Sequence, residues 1–253
     1  MENKISFSVQ LTGAVNYAMQ QNYIPVIRSI ILTNNTEETL RNITVKISFE
    51  PEFIKPFQTE IAQLVPGEPI EISPVKLVLS SEFLFSLTER LNGSIHAEVL
   101  ADGEKLAEDE SDIVLLPYDY WQGGYIMPEL TAAFVTPNHP RIEEIVAKAG
   151  IYLKKWTGDP SFIGYQSHNP NIVKKQAAAI YAALQAENIA YRNPPASFER
   201  LGQRVRMPYT VLEQKGGTCL DLALLFASCL EAVGLNPLVI LIKGHAFCGC
   251  WLE

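Results

Sequence analysis

The chain has 253 residues, enough for one large domain or two modest ones. Apolar residues make up 47% and charged residues 19%, a balance too apolar for a disordered chain and ordinary for a packed one. With 20 basic and 28 acidic side chains the net charge is −8, which excludes a strongly cationic chain that coats nucleic acid through its overall field. No apolar run approaches the ~20 residues of a membrane span, and the opening Met1-Glu2-Asn3-Lys4-Ile5-Ser6 lacks the apolar stretch of an export signal. The expectation is a soluble, cytoplasmic protein without membrane contact.

Residues 1–116 read as β-structure. Ile5, Phe7, Val9 and Leu11 alternate with Ser6, Ser8 and Gln10, and Ile43, Val45, Ile47 and Phe49 alternate with Thr44, Lys46 and Ser48. Further strand-like runs cover 24–33, 57–64, 70–79, 83–88, 95–100 and 112–116, with Pro66-Gly67, Asn92-Gly93 and Asp102-Gly103 as turn signals. Short strands at such spacing predict an antiparallel β-sandwich of immunoglobulin type, acting as an interaction module. Residues 117–128, rich in Tyr, Trp, Gly and Pro, are expected to link it to a second domain over 129–253.

There the period changes to that of a helix. Pro140 suits a first helical position, and Ile142, Ile145, Val146, Ala149, Leu153 and Trp156 mark one face. Asn169-Pro170 opens a second helix that carries Val173, Gln176, Ala177, Ile180, Tyr181 and Leu184 inward, and a short helix runs from Pro208 to Lys215. The overall pattern is α+β.

The chemistry concentrates near the end. Thr218 and Asp221 have capping-box spacing, which puts Cys219 in the first turn of a helix whose buried stripe is Leu222, Leu225, Phe226, Cys229 and Val233. A thiol there feels the positive end of the helix dipole, and nearby backbone N–H groups are placed to hold an oxyanion. Gly216 and Gly217 would let a substrate backbone approach without Cβ interference, and Trp251 is a further candidate substrate contact. A nucleophilic thiol needs a base, and His245 opens a strand expected to pack beside the cysteine helix.

Gly217-Thr218-Cys219-Leu220-Asp221, Ala232-Val233-Gly234-Leu235-Asn236-Pro237 and His245-Ala246-Phe247 together resemble the transglutaminase-like branch of the papain-like cysteine enzymes. The resemblance implies Cys219 as nucleophile and His245 as base, with Gln214 or Gln203 as the oxyanion-donating amide. The family's third residue, an Asp one strand after the His, has no counterpart, because neither Asp nor Asn follows His245. The expectation is a shortened domain: either the third residue is supplied beyond residue 253 or the site is incomplete. The order of β-domain, Pro194-Pro195-Ala196-Ser197-Phe198-Glu199, Cys219 segment and Gly244-His245 also resembles the N-terminal region of large bacterial proteins that carry superfamily 1 helicase and nuclease domains downstream.

Zinc is the rival for Cys219, His245, Cys248 and Cys250, but strand alternation points His245 and Cys248 to opposite faces, so no metal or cofactor is expected. Arg200, Arg204 and Arg206 form a modest basic stretch, read as a solvated face or an anion or nucleic-acid contact. Two functions remain. One is a recognition or regulatory region of a larger protein, built on a transglutaminase-like fold. The alternative is an active cysteine peptidase, amidase or transglutaminase acting on a protein or peptide through Cys219 and His245.

Overall fold

The computed structural model describes residues 4–253. Met1-Glu2-Asn3, where the absence of an export signal was read, lie outside the described residues. The chain is α+β and divides into two compact units between Tyr118 and Asp119.

The first unit holds β1 (Ile5–Leu11), β2 (Ala14–Val15), α1 (Tyr17–Gln21), β3 (Ile27–Asn34), β4 (Leu40–Glu50), β5 (Phe57–Leu64), β6 (Pro69–Ile72), α2 (Ser81–Ser86), β7 (Leu91–Ala101) and β8 (Glu104–Leu115). One sheet has the order β1-β3-β6 and is antiparallel throughout. The other runs β2-β8-β7-β4-β5, antiparallel except where β2 joins β8 in parallel. Ile43, Val45, Ile47 and Phe49 of β4 are buried with Lys46 and Ser48 exposed, as the alternation requires. Cross-strand partners Val99 and Ala97 are buried beside Val45 and Ile47 on the same face.

Two of the expected strand runs differ: of 70–79 only the part in β6, which ends at Ile72, is a strand, and 83–88 is not one. Residues 81–86 form a helix, not a strand: Ser80 caps it by accepting from the Phe83 N–H at 3.2 Å, and Leu84 is its one buried residue. The short α1 follows the same logic, with Asn16 Oδ1 accepting from the Met19 N–H at 3.0 Å. The Ser80 cap overrides the β-like composition of 83–88, while α1 falls in a stretch for which no strand run was read.

The second unit contains β9 (Tyr120–Trp121), α3 (Pro140–Thr157), α4 (Pro170–Gln185), β10 (Ala190–Tyr191), α5 (Phe198–Leu201), β11 (Gln203–Arg204), α6 (Pro208–Gln214), β12 (Gly216–Gly217), α7 (Cys219–Ala232), β13 (Pro237–Ile242) and β14 (His245–Cys250), with 3-10 turns at Pro128–Phe134 and Gly164–Ser167. Of the segment 117–128 expected as a linker, the part from Asp119 onward belongs to this unit. Trp121 pairs with Gln203, is buried, and donates its indole N–H to Thr131 Oγ1 at 2.9 Å.

The helices pack as their apolar periods dictate. Ile142, Ile145, Ala149 and Leu153 of α3 meet Val173, Ala179, Ile180 and Ala183 of α4 and Leu225, Cys229 and Leu230 of α7 in one core. Trp156 and Tyr181, expected on the inner faces, are instead exposed. His139 Nδ1 caps α3 by accepting from the Arg141 N–H at 3.2 Å, and its ring stacks on Tyr209. Asn169 caps α4 and Gly158, at φ +86°, ends α3. Helix α7 is buried on almost every side, which makes it the axis of the unit and fixes the position of its first residue, Cys219.

Candidate functional site

Cys219 owes its place to the capping box. The Asp221 N–H donates to Thr218 Oγ1 at 3.3 Å, and the Thr218 N–H donates to Asp221 Oδ2 at 2.9 Å. Asp221 is fully buried, and its carboxylate also accepts from the Arg206 N–H at 2.9 Å and from Arg206 Nη1 at 3.2 Å. That carboxylate is committed to the cap and to Arg206 in the interior, so Asp221 positions the helix and does not orient the exposed His245.

The pair β13–β14 packs against α7 through the residues that alternate inward. Ala246 is buried, and Cys248 and Cys250 lie against the core. His245 and Phe247 are exposed on the opposite face, their rings stacked at 6.4 Å. Gly244, at φ +71°, allows the tight turn from Ile242 to His245.

Cys219 and His245 nevertheless open into one cavity of about 720 Å³. Its walls come from α4, the 188–191 segment, α7 and β14, and Leu184, Ile189, Leu222, Phe226 and Phe247 give it an apolar character. Both line it, but Cys219 is only 3% exposed whereas His245 is open to solvent. No hydrogen bond joins the two among the described residues, and no carboxylate pairs with His245 there.

The remaining sequence candidates are placed differently. Gly216 and Gly217 are buried and paired in parallel with Ala190 and Tyr191, the Arg192 N–H donating to the Gly217 carbonyl at 2.8 Å. A Cβ on Gly216 would sit 2.5 Å from Arg192 Nε, and one on Gly217 3.0 Å from Asp221 Cβ, so the chain itself fills the space proposed for substrate. Trp251 is exposed near the far end of β14, about 20 Å along the strand from His245. Its N–H donates to the Asn236 carbonyl at 3.2 Å and its carbonyl accepts from Tyr165 at 2.9 Å, away from the cavity. Gln214 is exposed at the end of α6 and does not line the cavity. Gln203 is buried beside the cap, Nε2 donating to Thr218 Oγ1 at 3.2 Å.

The basic stretch is spent inside the unit. Arg204 forks onto Asp119, Arg206 binds Asp221, and Arg200 lies over the Tyr125 ring at 5.8 Å.

Sequence reasoning missed Tyr191. Its ring lines the cavity beside the Cys219 thiol, and partial desolvation together with that thiol raises the phenol's pKa. The other cysteines are chemically quieter. Burial, reinforced by the Cys248 thiol, pushes Cys229 up to about 12; burial, reinforced by Cys250, pushes Cys248 up to about 12.

No protein-family model matches the chain, and no curated protein matches it. Among the described residues, no helix is long and apolar enough to cross a membrane.

Proposed function

We propose that the second unit is a thiol acyl-transfer domain of transglutaminase-like, papain-related type, with Cys219 as nucleophile and His245 as its base. The observation that supports this is the shared cavity: a cysteine at the capped start of a buried helix and a histidine at the start of the neighbouring strand open into one space. Attack on an amide or ester carbonyl would form a thioester, with His245 taking the thiol proton and returning it to the leaving group. The first unit, two mainly antiparallel sheets, is read as an immunoglobulin-like sandwich that acts as a recognition module, and the whole as the cytoplasmic N-terminal region of a larger protein with helicase or nuclease domains.

A second reading, a domain that keeps this fold for recognition only, draws support from the missing hydrogen bond between His245 and Cys219. Iodoacetamide labelling at about pH 6.5, mapped by mass spectrometry, separates the two. An acyl-transfer site gives Cys219 alkylation at least ~10-fold faster than free glutathione, slowed by His245→Ala. Cys219 and Cys229 labelling equally slowly would leave the recognition module.

A further inference from the structure

An acyl-transfer site must hold the oxygen that becomes negative when the thiolate adds to the carbonyl. The Cys219 N–H, at the first position of α7, makes no hydrogen bond among the described residues and can supply one donor. A side-chain donor is harder to find. Gln203 gives one amide N–H to Thr218, and neither it nor Gln214 lines the cavity.

Tyr191 stands where such a donor is needed. Its strand β10 is locked to β12 in parallel register, Tyr191 opposite Gly217, with the Ala190 N–H donating to the Lys215 carbonyl at 2.9 Å and the Arg192 N–H to the Gly217 carbonyl. That ladder fixes the Tyr191 backbone opposite Gly217, itself two residues before the nucleophile, and the ring lines the cavity with Cys219 while remaining half exposed. Like any tyrosine the phenol carries its proton at neutral pH, and its hydroxyl lies close enough to the Cys219 thiol for the two to interact.

We infer that the Tyr191 hydroxyl is the side-chain oxyanion donor of this site, a catalytic residue acting with the Cys219 N–H; this rests on the acyl-transfer reading above. In the step concerned, the Cys219 thiolate forms a C–S bond to the carbonyl carbon, and the carbonyl π pair moves onto oxygen. Tyr191 donates to that oxygen. The pair then returns, the bond to the leaving group breaks with its electrons, and a thioester remains.

Two reactions of the same sulfur isolate this role. Acylation by p-nitrophenyl acetate passes through the oxyanion and releases p-nitrophenolate, whereas alkylation by iodoacetamide displaces iodide without one. Tyr191→Phe keeps the ring and removes only the hydroxyl. The variant should acylate Cys219 about 100-fold more slowly than wild type, at a melting temperature matching wild type, with alkylation changed less than ~3-fold. Acylation and alkylation falling together would place Tyr191's action on the sulfur and overturn the assignment, as would an unchanged acylation rate. If wild-type Cys219 forms no thioester while Tyr191→Phe is folded, the acyl-transfer reading itself fails.

Discussion

Thr218 and Asp221 satisfy each other's backbone N–H groups at the start of α7, and the same Asp221 carboxylate accepts two bonds from Arg206. One buried side chain thus ties the cap of the cysteine helix to the segment that precedes α6. The first turn of α7 is held rigid by this arrangement, and with it the Cα of Cys219.

Asp221→Ala removes an acceptor from three donors and leaves the Arg206 guanidinium without its buried partner. It should cost about 2–4 kcal/mol, against about 1–2 kcal/mol for Thr218→Ala, which loses the cap and the acceptor of one buried Gln203 N–H. Urea denaturation of the two variants checks both the size and the order. Equal small losses would show that Asp221 is not the anchor described.

Gly202 joins α5 to β11 at φ +81°, and a Cβ there would stand 2.2 Å from the Trp121 carbonyl oxygen. Both the left-handed backbone and a contact with main chain forbid a side chain. Gly202→Ala should destabilise by roughly 3 kcal/mol or more, whereas Gly67→Ala, also at positive φ but facing open space, should cost only about 1–2 kcal/mol. Thermal melts of the two variants compare the clash with the backbone strain alone.

Much of this was legible in the residues. The alternation of Ile43, Val45, Ile47 and Phe49 marks a strand with one buried face, and the Thr218–Asp221 spacing marks the start of α7; the structure has both. What escaped was set by contacts between residues far apart in sequence. Tyr191 sits on a two-residue strand, too short to show any period, and only its ladder with Gly216 and Gly217 brings it to the thiol. Trp121 gave the composition of a linker, yet a two-residue pairing with Gln203 buries it. The open look of Gly216 and Gly217 was lost in the same way, since Arg192, just past the paired strand, closes over Gly216, and Asp221 and Val211 close over Gly217.

Thiol reactivity should follow the packing around each cysteine. Cys229 and Cys248, both pushed up to about 12, remain protonated at neutral pH. Cys250 is raised too, by burial alone. Iodoacetamide at about pH 7.5 should therefore leave Cys229 and Cys248 unmodified in the native protein, and urea should bring both to the rate of an ordinary thiol. Rapid native labelling of Cys229 would contradict its burial in the α3–α4–α7 core.

Glu187 gives the fold a pH dependence of defined sign. Its carboxylate is paired with Lys148 of α3 and with Lys215 after α6, and these hydrogen bonds, Lys148 first, hold its pKa below the usual carboxylate value. In that range the unfolded chain binds the proton more readily than the folded one. The stabilisation is complete above the ordinary carboxylate pKa and is lost as pH falls through the lowered folded value. Because both lysines are about half exposed, the contribution is modest, about 1 kcal/mol. Glu187→Gln should lose that amount at neutral pH, and the difference from wild type should vanish in acid. Stability curves measured by urea denaturation across pH 3–8 provide the check, and a constant difference at every pH would assign the loss to packing rather than to charge.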